Sequence, residues 1–431
     1  MTITRRKFLK KAGLAAGGAI VLPVIIPSCV KGANDRISLG MIGTGDHGIN
    51  WNLAAYLKLD DCRVIAACDV DSTRVKKAKG IIDDHYKNND CIIYGDFREL
   101  LENRDIDAVQ ISTPDHWHVP ISALALMKNK DVCCEKPTLT IEQGRLLSDI
   151  VAGSKKLFQT SLEDRAVQQY HRMAELVRNG HIGKLQKIRV GLPGSSSHLY
   201  SFNPDPTEQP VPDYFNYEMW LGPAPYAPYT AGRCHYNFRW INDYSGGSLS
   251  DWGAHLIDTA QLLNGTEKSG PVEVYGKGSA PETGIYNAFD KYNLTYTYAN
   301  GVVMDVHSDF VEIFCEGTDG WLLVKGWRGK LEASSEEILN SVIGENELHL
   351  YTDESEHANF LKCLKSRKPT YHPAEDLHRT STITHMGNIA MKLQKKLAWD
   401  PAKEEFVNDA DANSMRSREE RQPWTLKNLI G

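Results

Sequence analysis

Gly43-Thr44-Gly45-Asp46-His47-Gly48 is the stretch on which the reading of the fold turns. At G-x-G-x-x-G spacing the first glycine allows a tight turn, the second lets backbone approach a pyrophosphate closely, and the third lets helix pack closely on strand. Such a run alone is a common turn, and its neighbours give it weight. Residues 36–42 (RISLGMI) form an apolar run suited to a strand, and residues 49–59 carry apolar side chains at helical spacing. Residues 63–69 read as a second buried strand, with Asp69 closing it about 20 residues after the last glycine. A helix N-terminus offering N–H groups to phosphate, and an acid placed to accept two ribose hydroxyls, together make a dinucleotide site.

Gly43, Thr44, Gly45, Asp46, His47, Gly48 and Asp69 are therefore expected cofactor contacts. The charge of Asp69 would repel the 2′-phosphate of NADP, so NAD is favoured. Arg74 is near enough to contact such a phosphate, or else is a solvated residue on a helix that also carries Lys76, Lys77 and Lys79.

Outward from this unit the alternation continues. A charged helix from Ser72, apolar runs at 91–94, 107–112 and 131–134, and a helix at 119–127 describe a parallel sheet wrapped by helices. From about residue 156 the pattern changes to a strand at 157–161, a helix at 167–179 and a strand at 185–192. Residues 193–245 are irregular and rich in Pro, Tyr, Trp and Gly, and so long a loop in a compact protein is usually functional. A helix at 251–263 precedes period-2 segments at 272–276, 293–298, 301–306, 311–315 and 320–325, then helical stretches at 355–365 and 375–396. The expected fold is α/β: an N-terminal Rossmann domain with a doubly wound parallel sheet, then an α+β domain with a large, mostly antiparallel open sheet. The expected divisions are 1–33, 34–157 and 158–431.

The 431 residues, 41% of them hydrophobic, are too many for one core. The 49 basic and 55 acidic residues, net charge −6, are interleaved without the basic blocks of a nucleic-acid binder. The exception is Thr4-Arg5-Arg6-Lys7-Phe8-Leu9-Lys10-Lys11, which runs into a short Gly-rich apolar stretch broken by Pro23 and Pro27. This reads as a twin-arginine export signal, not a membrane span. Ile26-Pro27-Ser28-Cys29 resembles a lipoprotein cleavage box, in which case Cys29 is lipidated; ordinary cleavage nearby would discard it. The expected location is the periplasm or, by a lipid anchor, a bacterial envelope membrane. Of nine cysteines, Cys62, Cys68, Cys133 and Cys134 fall in or beside buried-strand patterns, and no CxxC pair or Cys/His metal spacing occurs. Free buried thiols and no metal are expected.

Cys134-Glu135-Lys136-Pro137, Ser112-Thr113-Pro114-Asp115-His116-Trp117-His118 and Gly246-Gly247-Ser248-Leu249-Ser250-Asp251-Trp252-Gly253-Ala254-His255, with the glycine run, resemble the glucose-fructose oxidoreductase/inositol dehydrogenase (Gfo/Idh/MocA) family. Trp220-Leu221-Gly222-Pro223 and Phe238-Arg239-Trp240 look like those of an exported subgroup. The resemblance implies NAD(P)-dependent oxidation or reduction at a sugar or cyclitol carbon, with the second sheet carrying homo-oligomer contacts. It implies that Lys136 lies by the nicotinamide and the reacting oxygen, and that Asp251 and His255 form the family's Asp-x-x-x-His pair.

The residue types agree with those roles. Two residues four apart on a helix share a face, and a His beside an acid is the usual proton acceptor at neutral pH. A desolvated lysine suits charge developing on the oxygen. His255 is expected to take the hydroxyl proton while Asp251 orients it or binds a neighbouring hydroxyl. Thr113, Pro114, His118 and Glu135 are expected at the cofactor. Arg165 is either a nicotinamide-side contact or a structural salt bridge. Tyr236, Asn237, Arg239, Trp240 and Tyr244 are candidates for the wall around a carbohydrate substrate. One branch of the family uses bound NAD to oxidise C3 transiently, eliminate a glycosidic bond and reduce the product again. That branch departs from Glu-Lys-Pro, so Lys136 favours the dehydrogenase over this glycosidase alternative.

Overall fold

Ile37–Ile42, the apolar run before the glycine turn, is β1 in the computed structural model, which describes residues 36–194 and 206–431. The twin-arginine segment and Cys29 lie outside these residues. With β2 (Cys62–Cys68), β3 (Ile92–Tyr94), β4 (Ala108–Ile111), β5 (Asp131–Glu135) and β6 (Phe158–Ser161) it forms a parallel sheet of order β3-β2-β1-β4-β5-β6. Every residue of β4, β5 and β6 is buried, as a sheet covered on both faces requires. The order reverses between β1 and β4. Ligands of such sheets bind at the carboxyl ends of the strands beside that reversal, here the turns at Gly43 and Thr113.

β6 pairs with β5 from Phe158 to Ser161, which carries the parallel sheet past the boundary expected at residue 157. The second sheet is built from β7 (Leu185–Gly191), β8 (Glu273–Ser279), β9 (Lys291–Thr297), β10 (Val303–His307), β11 (Glu312–Gly317), β12 (Trp321–Lys325), β13 (Leu331–Ala333), β14 (Leu397–Asp400) and β15 (Glu405–Phe406). Its order is β13-β12-β11-β7-β10-β9-β8-β14-β15, with only β7 and β10 parallel. The alternating burial of β9 shows one face on the core and one in water. Helices Gln168–Arg178, Gly253–Asn264 and Ala374–Leu393 cover the inner face, contributing Met173, Leu256, Ile257 and Met386.

The C-terminal part also returns to the first domain. Phe360 and Leu361 of helix Glu356–Ser366 join the core under β1 and β2. Trp424 packs edge-on against Trp117, with ring centroids 5.7 Å apart. Cys62, Cys68, Cys91, Cys133, Cys134, Cys234, Cys315 and Cys363 are buried thiols outside any disulfide. No helix among the described residues is long and apolar enough to cross a membrane.

Arg165 occupies the seam between the sheets. Its guanidinium donates to Asp258 at 2.8 and 2.9 Å, to Asp376 at 2.7 Å and to the Tyr371 carbonyl at 2.7 Å. Of its two expected roles this is the structural salt bridge and not the nicotinamide-side contact: two buried carboxylates hold it away from the cavity. Replacing Arg165 by Leu removes the buried cation that the two acids share, leaving Asp258 only His372 and Thr380 and Asp376 only the exposed Lys268, and we expect a loss of about 3–5 kcal/mol in unfolding free energy, measured by urea denaturation.

Candidate active site

At the end of β1 the chain turns through Gly43 at φ +88°, where a Cβ would stand 2.5 Å from the Ser112 carbonyl oxygen. A Cβ on Gly48 would stand 2.3 Å from the Gly43 carbonyl oxygen. Both glycines are therefore demanded by the turn itself. Gly45 differs: its Cβ would meet only the Arg74 guanidinium, at 3.2 Å, so the space it leaves is space for a ligand. The helical segment begins here, with Ile49 N donating to the Gly45 carbonyl at 2.9 Å, so the positive end of the helix lies at the cradle. Asp69 stands at the far side of this cradle. Its carboxylate accepts from Thr44 N at 2.7 Å, Thr44 Oγ1 at 3.1 Å and Asp71 N at 2.9 Å, which fixes its orientation while burial raises its pKa. Glycine turn, helix start and oriented acid fit a dinucleotide.

A cavity of about 560 Å³ runs from this cradle to the end of β5. Gly43, Gly45, Asp46, His47, Gly48, Asp69, Thr113, Pro114, His118, Glu135 and Lys136 line it. Thr44 supports the lining through Asp69. His118 spans two carbonyls, Pro137 and Thr113, each 2.8 Å from a ring nitrogen, so it ties the turn after β4 to the one after β5. Glu135 accepts from Asn52 Nδ2 at 2.8 Å and faces His47 Nε2 at 3.0 Å. Burial opposes its ionisation, yet these partners bring its pKa down to about 2, and Glu135 in turn raises that of His47.

Lys136 Nζ donates to Asp251 Oδ1 at 2.5 Å and to the Asp251 carbonyl at 2.9 Å. Burial works against the ammonium, but the adjacent carboxylate outweighs it and holds the lysine above its ordinary pKa. Asp251 is likewise held below the usual carboxylate range: Lys136, and Arg239 with Nε at 3.4 Å, overcome its burial. His255 does not use Asp251 as its partner. Its Nδ1 lies 2.5 Å from Asp164 Oδ2, on the turn Glu163–Ala166 that follows β6. The expectation that Asp251 orients His255 is corrected. The helix ends at Asp251 and restarts at Gly253, and the two cations claim the Asp251 carboxylate.

Of the expected substrate wall, Tyr236 and Arg239 line the cavity, whereas Asn237, Trp240 and Tyr244 do not. Trp240 is buried edge-on to Tyr236, and the fully buried Tyr244 packs on Trp220 and His116. Packing claims those rings. The segment that carries them is laced to the end of β2 by Asn216 N to the Val70 carbonyl and Ser72 N to the Tyr214 carbonyl, both 2.8 Å, and so roofs the cavity.

Sequence reasoning missed Trp51, Glu163, Asp164, Trp252, Trp327 and Arg328. Trp252, inside the quoted Asp251–His255 motif, was the one with a local signal. Arg328 pairs with Glu163 and lies 3.8 Å from Asp164. The oxygens of those two acids and a nitrogen of His255 fall within 4.8 Å of one another, but a guanidinium already neutralises the carboxylates a divalent cation would need.

Residues 37–162 match the NAD-binding Rossmann fold of an oxidoreductase family, and residues 168–426 match the C-terminal α/β domain of that family. The chain belongs to the Gfo/Idh/MocA oxidoreductase family. It is 30% identical over 132 residues to glycosyl hydrolase family 109 protein 2 of Shewanella sp. (strain ANA-3), covering 30% of this chain and 28% of that one. It is 26% identical over 156 residues to inositol 2-dehydrogenase of Rubrobacter xylanophilus, covering 36% and 43%. The chain thus spans less than half the length of these curated relatives. The WlbA dehydrogenase of Bordetella pertussis, solved with NADH and UDP-GlcNAcA, superposes with a TM-score of 0.65 at 14% identity over 85% of this chain and 99% of that one. That likeness is one of fold.

Two outcomes test the site. Gly45→Ala is expected to unfold at the wild-type temperature yet bind NADH at least about tenfold more weakly by fluorescence titration. Gly48→Ala, which drives a Cβ into backbone, is expected to lose thermal stability as well. Glu356 accepts from Trp51 Nε1 at 2.9 Å, and burial, then Glu163, pushes its pKa up to about 7. Its folded pKa lies above its unfolded one, so the stability it supports is complete below about pH 4.5 and is lost as pH rises to about 7. In pH-dependent urea unfolding we expect a decline of up to ~3 kcal/mol across that window, absent in Glu356→Gln.

Proposed function

We propose that this protein oxidises a hydroxyl of a sugar, glycoside or cyclitol by hydride transfer to NAD that stays bound through turnover. The observation that carries this reading is the convergence of Lys136, Asp251 and the His255–Asp164 pair at the end of a cavity that begins in the glycine cradle. The oriented Asp69 carboxylate supports NAD over NADP by offering acceptors to ribose hydroxyls and charge repulsion to a 2′-phosphate. The basic N-terminal segment supports an exported enzyme, and outside the cytoplasm no nucleotide pool would replace a lost cofactor.

When bound, the nicotinamide supplies the hydride acceptor. His255, its Nδ1 committed to Asp164, takes the substrate hydroxyl proton on Nε2. The Lys136 ammonium stabilises negative charge growing on the oxygen as the carbonyl forms. Asp251 holds that ammonium in place. The roof formed by residues 206–245 limits water at the reacting carbon.

A second reading is glycoside hydrolysis through transient oxidation and elimination, whose opening oxidation this site supports equally. The likeness to glycosyl hydrolase family 109 protein 2 favours it. The intact Lys136 favours net oxidation. Purified protein would be denatured to release its nucleotide, then native enzyme incubated with a glycoside panel while keto-sugar and reducing sugar are both followed. We expect NAD in the released fraction and, without hydrolysis, one keto-sugar per bound NAD, which becomes NADH; an added carbonyl sugar that takes the hydride back supports further turnover. Reducing sugar with no net keto product would sink the oxidation reading in favour of hydrolysis. Lys136→Met and Asp164→Asn are each expected to lower kcat by about 10²-fold or more, and a Lys136→Met enzyme at full rate would remove its assigned role.

A further inference from the structure

The turn between β12 and β13 comes from the edge of the second sheet, far in sequence from every recognised motif, yet it delivers Trp327 into the cavity beside His255. Trp327 meets His255 edge to face at 4.9 Å and 83°, and Trp252 at 4.8 Å and 77°. Both indoles back onto the core beneath the second sheet. The turn is held rigidly: Arg328 N donates to Tyr170 Oη at 3.0 Å, and Gln169 Nε2 donates to the Arg328 carbonyl at 3.1 Å. Gly326 at φ +75° and Arg328 at φ +55° supply its curvature. Two half-buried indoles facing the cavity at 77° to each other form a preorganised apolar corner next to the reacting groups.

The charges around that surface are closed. Lys136 and Arg239 share Asp251, and Arg328 is paired with Glu163 and Asp164, so three cations meet three carboxylates. Arg74, at the opposite end, faces Asp46 and Asp71. Among the described residues, every lysine and arginine lining the cavity has a carboxylate within 4.0 Å. An anionic substrate would have to break one of these pairs in a partly desolvated site, whereas hydroxyl groups can share them as hydrogen-bond partners.

We propose that Trp252 and Trp327 form an apolar corner against which the C–H face of an uncharged six-membered-ring polyol, a pyranoside or a cyclitol, packs, and that the closed charge set excludes uronates and sugar phosphates. The proposal rests on the sugar-directed activity proposed above and names its substrate class and the residues that select it. Trp327 is the specificity-determining member, because its turn serves no recognised cofactor contact.

The test uses the full chain loaded with NAD. Calorimetric titrations with methyl β-D-glucopyranoside, methyl α-D-galactopyranoside, methyl α-D-mannopyranoside and myo-inositol separate pyranosides from cyclitols. Methyl β-D-glucopyranosiduronate and glucose 6-phosphate are the charged counterparts. At least one neutral ring is expected to bind and quench tryptophan fluorescence, with the charged probes at least about tenfold weaker. Trp327→Ala is expected to lose about tenfold or more in affinity for that ring while binding NADH normally, and Trp327→Phe to stay within about threefold of wild type. A charged probe binding as tightly as the best neutral one, failure of all four neutral rings, or full affinity in Trp327→Ala would overturn it. So would equal losses in the Phe and Ala variants. Tight neutral-ring binding without nicotinamide reduction would instead reject hydride transfer and leave the indole corner standing.

Discussion

The contact between the Lys136 ammonium and the Asp251 carboxylate is the constraint around which the rest of the molecule is arranged. Lys136 follows β5 of the parallel sheet, and Asp251 ends the helix Gly247–Asp251 that packs with the second half. Their 2.5 Å separation requires both halves to be in place, so the site exists only at their meeting. The His255–Asp164 pair repeats the arrangement, joining the second half's long helix to the turn after β6. A pair of this kind is weak evidence for stability, since desolvation consumes much of its Coulomb attraction. Its value is in position: a lysine held as ammonium, and a carboxylate kept ionised by two cations.

The seam is correspondingly polar, and its charges are satisfied in separate groups. Arg165, Asp258, Asp376 and His372 form one that lies outside the cavity. Glu135, His47 and Asn52 form another beneath the cofactor cradle. The first binds the halves together and the second shapes the floor of the site. A residue such as Arg165, following a strand at the edge of the cofactor domain, can serve either purpose, and only the direction of its side chain separates them.

Much of the fold is legible in the chain because local chemistry enforces it. The glycine turn, the buried runs of β1, β2, β4 and β5, and the Asp71-capped helix Ser72–Tyr86 follow from periodicity and turn chemistry that neighbours in sequence supply. Lys136, Asp251 and His255 were recognisable from motifs that are contiguous in the chain. Asn237, Trp240 and Tyr244 were misplaced because a polar or aromatic side chain in an irregular segment serves equally well as wall or as packing. Asp164 and Trp327 were missed because each reaches the cavity from a turn without a local signature.

The sequence by itself determined that a dinucleotide cradle opens the first domain, that a mostly antiparallel sheet follows, and which family motifs carry the chemistry. These depend on short-range order: the period of apolar residues, glycine at positions no Cβ tolerates, an acid at a set distance from a turn. Tertiary structure alone decided that Asp164 and not Asp251 is the partner of His255, that Arg165 faces away from the cavity, and that Trp327 faces into it. Those outcomes depend on which buried charges find each other across 91 and 115 residues of chain, and on where a turn at the edge of one sheet comes to rest against the other.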